Sequence, residues 1–357
     1  MKKFCFMFLL WSAVILGCAE SEGVIPENSG TLTLMTWNIH NLFDGADNGY
    51  EYNEFLQSSG WSAEKYLGRL NTIAAAIGRI EPQPDILIFQ EIESLQILED
   101  LAEFLPREYS WCHFANNPES AIGLGILSRY PLYESKAHSI TIEENSTPRP
   151  VLETRILTDN GGFIIFANHW KSKIGGDKIT ENVRKASARV ILRRIKELWE
   201  SEPETGIIIA GDLNENYDEF YRQGANVVCA LMPDDPFCVT LTDIKKNGQN
   251  DFIVISGNKP PEPLYFPEGT ISLFSPWVRD LENGSYYYSY NWETIDHFLL
   301  SKQFFGGSNW EYERIFVADF EPFANANGFP VSYNVKTGYG LSDHLPLVLI
   351  LKKQESE

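Results

Sequence analysis

The feature that most constrains the fold of this chain is a recurring one: apolar, strand-like segments that end in polar or ionisable side chains. Such an ending marks the place where a chain turns out of a sheet, so several of them predict a sheet-based fold with a polar edge. One alone would mean little, because a carboxylate at a strand end is usually a turn or capping residue. Five segments share the pattern, at residues 36–41 (TWNIHN), 89–91 (FQE), 167–171 (ANHWK), 210–214 (AGDLN) and 341–346 (LSDHLP).

The polar residues at these ends make an oxygen-rich set. Its carboxylates are Glu91, Asp212 and Asp343, and Asp296 adds one more directly in front of the apolar residues 298–300. Amides and histidines accompany them. Oxygen ligands of this kind suit Mg²⁺ or Mn²⁺, whereas zinc would require more His or Cys. The set therefore predicts a divalent-metal site.

Helical and strand patterns mix irregularly along the chain rather than as regular βαβ units. The mixture predicts one α/β domain over residues 31–353, with two packed sheets and helices outside. Helical spacing covers residues 62–80, 95–105 and 180–199, and Ser62 is the expected N-cap of the first. Strands are expected at residues 31–37, 85–90, 109–115, 124–128, 151–157, 163–168, 206–210, 294–300 and 345–351.

Charge limits the classes of partner. The 357 residues include 29 Lys and Arg against 49 Asp and Glu, a formal net charge of -20. A hydrophobic content of 43% excludes a wholly disordered chain. The negative charge argues against a protein that coats nucleic acid or anionic membrane through bulk positive charge. A phosphate-bearing substrate must therefore be met by local positive charge or by a metal ion.

The N-terminus has the pattern of an export signal. Residues 1–17 combine a short basic start with an apolar run that is too short for a comfortable membrane span. Residues 15–18 (ILGC) resemble a bacterial lipobox, which predicts cleavage before Cys18, a lipid on that cysteine and a polar tether over 18–30. We expect an exported lipoprotein facing the periplasm or the cell exterior. An ordinary signal peptide and an uncut membrane anchor are the alternatives.

An aromatic-rich insertion occupies about residues 226–291, which is too long for a simple connection. Most of its rings are expected in a local core, with a substrate-facing rim as the alternative. The run Tyr286–Tyr288 is the exception, because three adjacent residues cannot all face inward on a strand. Cys229 and Cys238 are close in sequence, and a disulfide between them is as plausible as two thiols.

In order and spacing, the motifs TWNIHN, QE, NHWKSK, GDLN, ID and SDHLP resemble those of the endonuclease/exonuclease/phosphatase family, also called the deoxyribonuclease-I-like fold. The resemblance spans residues 31–351. It implies a four-layered α/β sandwich in which helices flank two central, mostly antiparallel β-sheets. It also implies divalent-metal-dependent cleavage of phosphate esters. The NHWKSK motif is similar to that of secreted bacterial nucleases of the family.

The resemblance also implies metal ligands. Glu91 matches the metal-binding Glu after the second strand, and Asn38 matches the Asn that helps to hold the metal or a neighbouring carboxylate. Asp343 is a further candidate ligand. The expected cofactor is Mg²⁺ or Mn²⁺, with Ca²⁺ as a third candidate.

Catalytic roles are implied in the same way. His344 matches the general base, or the hydrogen-bond donor to the phosphate, and Asp296 matches the acid that orients it. Asp212 and Asn214 match the pair that positions the nucleophile and the phosphate oxygens. His169 matches a second His of the deoxyribonuclease, sphingomyelinase and inositol-phosphatase branches, where it faces the phosphate and protonates or stabilises the leaving oxygen. The abasic-site endonuclease branch has an amide or acid at that position.

Positive charge near His169 points to phosphate binding. Lys171 and Lys173 follow it directly, and Arg155 and Arg149 precede its strand. Together these features predict a monomeric, exported, lipid-anchored phosphodiesterase, foremost a nuclease acting on DNA or RNA. The alternatives are a sphingomyelinase-like or phosphatase-like hydrolase of another phosphoester, and a non-catalytic surface lipoprotein.

Overall fold

Two large β-sheets dominate the computed structural model, which describes residues 14–17, 30–118, 120–142, 145–147, 149–241, 251–306 and 309–354. The first sheet has seven strands: β1 (Val14–Gly17), β2 (Thr31–Leu42), β3 (Ile86–Ile92), β4 (Trp111–Asn116), β5 (Gly123–Ser128), β18 (Trp310–Val317) and β19 (Leu347–Lys353). Their spatial order is β1-β4-β5-β3-β2-β19-β18. All neighbouring pairs are antiparallel except β2 with β3.

The second sheet has eight strands: β6 (Leu132–His138), β9 (Val151–Thr158), β10 (Gly161–His169), β11 (Gly206–Asp212), β12 (Leu231–Pro233), β13 (Ile253–Ser256), β14 (Ser272–Phe274) and β17 (Asp296–Leu300). Their order is β12-β13-β14-β17-β11-β10-β9-β6. Three neighbouring pairs are parallel, namely β12 with β13, β13 with β14, and β10 with β11. Antiparallel pairs therefore predominate over the two sheets together.

Smaller strands and five helices complete the described structure. Two hairpins pair β7 (Thr141–Ile142) with β8 (Asn145–Ser146) and β15 (Tyr286–Tyr288) with β16 (Asn291–Glu293). The helices are α1 (Ala63–Ile77), α2 (Leu95–Phe104), α3 (Asp177–Ser201), α4 (Glu219–Arg222) and α5 (Pro236–Leu241). Ser62 is the N-cap of α1, as expected, since its side chain accepts a hydrogen bond from the Lys65 amide at 3.3 Å.

Alternating side chains of the central strands build the layers. On β2, Leu34 lies in a core shared with Ile165 of β10 and Ile208 of β11, so this core lies between the sheets. The next residue, Met35, faces the opposite way, into a core with α1 and α2. Residues of the second sheet that point away from the first pack against α3. The order of layers is helices, sheet, sheet, helix, which confirms the predicted four-layered sandwich.

The insertion at 226–291 extends the second sheet. Its strands β12, β13 and β14 continue that sheet beyond β17, and their side chains help to fill two cores. Cys229 and Cys238 are buried thiols and do not form a disulfide. Burial raises the pKa of both.

The predicted signal and tether fall largely outside the described residues, and so does Cys18. Within them, β1 pairs with β4 at the edge of the first sheet. Cleavage before Cys18 would remove this pairing. Along the described ranges, no helix is both long enough and apolar enough to cross a membrane.

Candidate active site

Strand register brings the predicted polar residues to one edge of the sandwich. In the first sheet β2 runs parallel to β3 with Asn38 opposite Gln90, so Asn38 and Glu91 are neighbours. In the second sheet His169 lies opposite Asp212, and Asp212 lies opposite Asp296. Both pairs stand at strand ends. The two sheets therefore contribute facing halves of one site.

Asn38 links the two halves. Its side-chain amide donates to Asp212 Oδ2 at 3.1 Å and lies 3.3 Å from Glu91 Oε1. Glu91 Oε2 accepts a hydrogen bond from the Asn41 amide at 3.0 Å, and Asn38 Oδ1 accepts one from the His40 amide at 3.0 Å. His40, Asn41 and Glu91 have φ values of 53°, 59° and 65°. Left-handed backbone at such residues costs about 1–3 kcal/mol each and persists only where the surroundings enforce it.

Arg69 on α1 enforces this turn, and the sequence analysis did not single it out. Its guanidinium donates to the carbonyls of Ile39, His40 and Asn41, each at 2.7 Å. It is fully buried and lies 4.0 Å from the ring centroid of Tyr333. In the sequence, the sign of this role is that Arg69 is a charged residue among the apolar positions that form the buried face of α1. Arg69 thus fixes the turn that supplies the Asn41 amide to Glu91.

His344 and Asp296 form a buried pair. The Nδ1 atom of His344 lies 2.8 Å from Asp296 Oδ2, which also accepts a hydrogen bond from the Ser285 hydroxyl at 2.6 Å. Burial alone would lower the pKa of His344. The charge and hydrogen bond of Asp296, aided by Asp343 and Asp212, outweigh it and raise the pKa to about 10. The imidazole is therefore held protonated, and Asp296 fixes its orientation.

Asp212 is the second buried carboxylate. Burial and the charge of Asp296 raise its pKa to about 7, against lowering contributions from His344 and the Asn214 amide. The backbone amide of Asn214 donates to Asp212 Oδ1 at 2.8 Å, and the side-chain amide of Asn214 donates to the Trp170 carbonyl at 3.0 Å. Asn214 has a φ of 50°. The turn after β11 thus holds Asp212 and Asn214 in one fixed arrangement.

His169 faces the two carboxylates from β10. Its Nε2 atom lies 3.5 Å from Asp212 Oδ2 and 3.7 Å from Glu91 Oε1. Burial, followed by the positive charges of Arg149 and His344, lowers its pKa well below the ordinary value. A neutral imidazole at this position can donate a hydrogen bond to a phosphate oxygen, but it is a poor proton donor.

Arg149 supplies a partly buried cation beside the carboxylates. Its guanidinium donates to the Trp170 carbonyl, the same group that Asn214 contacts. Burial lowers its pKa, while the charges of Glu91 and Asp212 act in the opposite direction. Since guanidinium groups remain protonated in proteins, Arg149 places a positive charge beside the carboxylates.

The other predicted phosphate-binding residues have different surroundings. Lys171 contacts Ser172 Oγ at 3.3 Å, and burial together with Arg149 lowers its pKa. Lys173 is paired, with its Nζ atom 2.5 Å from Glu219 Oε2 and 3.5 Å from Glu293 Oε2.

Arg155 is not brought to the site. It lies opposite Ile164, five residues before His169 on β10, or roughly 16 Å along the strand. Its guanidinium pairs with Glu202 at 3.0 Å. The sequence could place Arg155 before the His169 strand, but strand register decided which end of the sheet it occupies.

Asp343 lies at the rim. Its side chain is 29% exposed and its Oδ1 atom is 3.8 Å from His40 Nδ1. Its negative charge helps to raise the pKa of His344. His297, next to Asp296, is fully buried and contacts the Glu215 carbonyl at 2.8 Å, which fits a supporting role in the structure.

The donor set fits a divalent cation. Ligand atoms of Asp212, Asp296 and His344 lie within 4.8 Å of one another and all three residues are buried, but since His344 is held protonated only the two carboxylates of this group can bind a cation. The buried Oδ1 atom of Asp296 has no hydrogen-bond partner within the described part of the chain. Two buried carboxylates side by side repel each other, and a cation held by Glu91 and Asp212, the two carboxylates that the Asn38 side chain bridges, would relieve that repulsion.

A second acidic group lies deeper and is already neutralised. Glu181, Glu215 and Cys229 have ligand atoms within 4.8 Å of one another. The fully buried guanidinium of Arg184 lies 2.6 Å from both carboxylates. Arg184 balances one of the two negative charges, and burial and the charge of Glu181 raise the pKa of Glu215 well above its usual range, so this group is a structural ion-pair cluster.

Comparisons with known proteins agree with this fold and show the family. Residues 33–231 match the model of the "Endonuclease/Exonuclease/phosphatase family". Truncated TDP2 of Caenorhabditis elegans superposes with a TM-score of 0.53 at 12% identity, covering 90% of this chain and 97% of that one. An endonuclease/exonuclease/phosphatase family protein from Bacteroides thetaiotaomicron gives 0.50 at 17%, covering 91% and 98%. One from Beutenbergia cavernae gives 0.50 at 15%, covering 90% and 72%. A search of curated proteins found no match.

Proposed function

Because the chain belongs to the endonuclease/exonuclease/phosphatase family of metal-dependent phosphoester hydrolases, we propose that it is a Mg²⁺- or Mn²⁺-dependent phosphodiesterase that cleaves nucleic acid. One observation carries the proposal. The oriented pair of His344 and Asp296, the buried carboxylate of Asp212 and the partly buried one of Glu91 lie at one edge of the sandwich, with Arg149 beside them. Binding groups and proton-transfer groups for a phosphodiester are therefore present together.

Oxygen ligands for the metal come from Glu91 and Asp212, and the side-chain amide of Asn38 donates to both carboxylates and holds them in place. The bound ion would polarise a phosphoryl oxygen and neutralise part of its charge. In a chain with a net charge of -20, that contribution also offsets the general repulsion of an anionic substrate. Mg²⁺ and Mn²⁺ suit a site with few protein carboxylates.

The protein's own groups divide the remaining work. His344, held protonated by Asp296, donates a hydrogen bond to a phosphoryl oxygen. Asp212, together with Asn214, positions the attacking water at this edge of the sandwich. Neutral His169 and the Asn214 amide group orient the phosphate, and His169 stabilises the leaving oxygen through a hydrogen bond.

Nucleic acid is the proposed substrate because cations lie where flanking phosphates would pass. Arg149 and Lys171 are close enough for their charges to interact, and both act on His169. Cations on that side of the scissile phosphate would contact the neighbouring phosphates of a polynucleotide. A lipid or sugar phosphate with one phosphate group would use only one such position.

The test is hydrolysis by the purified full-length chain in detergent. Single-stranded DNA, duplex DNA, RNA, sphingomyelin and bis(p-nitrophenyl) phosphate are compared with Mg²⁺, Mn²⁺, Ca²⁺ or chelator. His344→Ala and Asp212→Asn should lose activity, while the matched control His138→Gln, on the edge strand β6, should retain it. Cleavage of sphingomyelin with nucleic acid untouched would contradict the proposed substrate.

We also propose export and lipid attachment at Cys18. Support comes from the basic start, the apolar run and the ILGC sequence at 15–18. Metabolic labelling with a radioactive fatty acid and membrane fractionation test this. The wild type should be labelled, and Cys18→Ser should be unlabelled. A labelled Cys18→Ser variant would refute the assignment.

A further inference from the structure

The hairpin of β15 and β16 stands directly over the catalytic histidine. The ring of Tyr286 lies 4.5 Å from the imidazole of His344, centroid to centroid, with 32° between the planes. The backbones of the same two residues form a β-bridge. The hairpin is thus attached to the active site by side chain and by main chain.

Alternation along β15 separates its three tyrosines. Tyr287 packs inward, with its ring centroid 5.1 Å from Trp292 and 4.4 Å from Phe329. Tyr286 and Tyr288 share the other face, where their rings are within 10° of parallel and 6.2 Å apart. Tyr288 is 65% exposed. The two rings on this face, which we call the tyrosine row, lead from His344 towards solvent.

The turn of the hairpin presents another ring. Ser289 and Tyr290 connect the strands with φ values of 47° and 66°. A two-residue turn with both φ values positive favours Asn and Gly, so a tyrosine there carries a conformational cost. Tyr290 is 92% exposed and therefore receives no packing energy from the core in return. Exposed rings beside a catalytic site are best explained by a ligand.

The composition of the hairpin indicates which kind of chemical group of the ligand would contact it. Residues 286–293 (YYYSYNWE) contain one acid and neither Lys nor Arg. Such a surface offers ring faces rather than charge to an anion. The cations Arg149 and Lys171 lie on the His169 side instead. A ligand that spans the site would therefore place phosphates towards His169 and an uncharged planar group on the hairpin.

We propose that the tyrosine row stacks an unpaired base of a single-stranded nucleic acid next to the scissile phosphate, an inference that rests on the proposed phosphodiesterase function. Base–aromatic stacking tolerates any sequence, because every base has a flat face. A duplex keeps its bases stacked inside the helix, so it cannot offer one to Tyr288 without unpairing it. The row therefore favours single strands over duplexes.

Kinetics of the full-length chain test this. KM and kcat are measured for a labelled single-stranded oligodeoxynucleotide, for its duplex and for bis(p-nitrophenyl) phosphate. Tyr288→Ala should raise KM for the single strand about fivefold or more, and lower its preference over the duplex. Tyr288→Phe should have the KM and the single-strand preference of the wild type, because stacking requires the ring and not the hydroxyl. Tyr133→Ala, an exposed tyrosine on the edge strand β6, is the matched control.

Binding without turnover provides the second readout. In an Asp212→Asn background, fluorescence anisotropy should give a Kd for the single strand that rises about fivefold or more with Tyr288→Ala. If Tyr288→Ala leaves Kd and KM unchanged and bis(p-nitrophenyl) phosphate is still cleaved, base stacking on the tyrosine row is refuted, while the proposed phosphodiesterase function stands. Absence of hydrolysis of all three substrates would refute the proposed function instead. If Tyr288→Ala instead loses binding to phosphatidylcholine–sphingomyelin vesicles while its binding to the oligonucleotide is unchanged, the row contacts lipid and the proposal is overturned.

Discussion

Asp212 and Asp296 lie directly opposite each other in the antiparallel register of β11 and β17. Both are buried, and their relationship sets the protonation of the whole site. The charge of Asp296 adds to burial in raising the pKa of Asp212 to about 7, and it is the main cause that raises the pKa of His344 to about 10. One carboxylate thus keeps a neighbouring acid partly protonated and a neighbouring imidazole charged.

The first prediction is that protons compete with the metal at Asp212. A carboxylate must be ionised to bind a cation, so the metal concentration needed for half-maximal activity should fall as pH rises from about 5.5 and level off above about 7.5. Metal titrations against bis(p-nitrophenyl) phosphate at several pH values measure this. Asp296→Asn removes the repelling charge, which lowers the pKa of Asp212 and should move the curve to lower pH. It should also reduce kcat by about 100-fold or more, because His344 loses its orienting partner.

The control for this experiment is Asp319→Asn, which alters an exposed carboxylate at the other end of the β18–β19 connection from Asp343. It should leave the pH dependence of the metal requirement as in the wild type. If Asp296→Asn also leaves the curve unchanged, the proton that competes with the metal does not belong to Asp212.

The second prediction concerns Arg69, which acts on the metal site through the backbone. Arg69→Lys keeps the charge but cannot reach the carbonyls of Ile39, His40 and Asn41 together. The turn should relax and the Asn41 amide should leave Glu91, so the metal should bind roughly 10-fold more weakly. Metal titration of activity and direct calorimetry of metal binding both report it. Arg79→Lys, exposed near the end of α1, is the matched control.

A purely structural Arg69 would give another result. Its substitution would lower the free energy of unfolding, while metal affinity and KM in the folded fraction would stay unchanged. Thermal unfolding measured beside the metal titration separates the two cases.

Much of the site could be predicted because its residues follow buried strands. Asn38, Glu91, His169 and Asp212 all stand at apolar strand ends, and parallel or antiparallel pairing then gathers them. The two sheets and the three main helices followed from apolar periodicity in the same way. Edge strands were harder. In β18 (WEYERIFV) polar residues interrupt the apolar ones, since only one face of an edge strand is buried.

The positions of residues that depend on long-range strand register could not be predicted from the sequence. Arg149 and Arg155 are close in sequence, yet Arg149 contacts the Trp170 carbonyl beside the site, while Arg155 lies near Glu202 at the far end of β10. Arg69 is separated from Asn41 by a loop and half a helix. The short strands β12–β14 pair in parallel across long connections, which local periodicity does not record.

The third prediction addresses the buried ion-pair cluster behind the site. Arg184→Met would leave Glu181 and Glu215 buried without their cation. The free energy of unfolding should fall by about 3–5 kcal/mol, as measured by urea denaturation. Glu215→Gln in the same chain should recover part of the loss by removing one unpaired charge. If added Zn²⁺ raises the melting temperature of the wild type but not of Cys229→Ser, this cluster binds metal after all.

The fourth prediction is a pH-dependent contribution of Glu219 to stability. Burial would raise its pKa, but the charge and hydrogen bond of Lys173, with Asn216 and Gln223, lower it to about 2 from the ordinary 4.5. A folded-state pKa below the unfolded one stabilises the protein above pH 4.5, and this stabilisation is lost as pH falls towards 2. Glu219→Gln should therefore cost about 2–3 kcal/mol at pH 7, and progressively less as the pH is lowered below 4.5.

Urea unfolding of the wild type and Glu219→Gln at pH 7 and at about pH 3 measures this difference. Glu200→Gln, an exposed glutamate near the end of α3, should show little effect at either pH. A constant loss at both pH values would mean that Glu219 acts through its neutral hydrogen bonds rather than its charge.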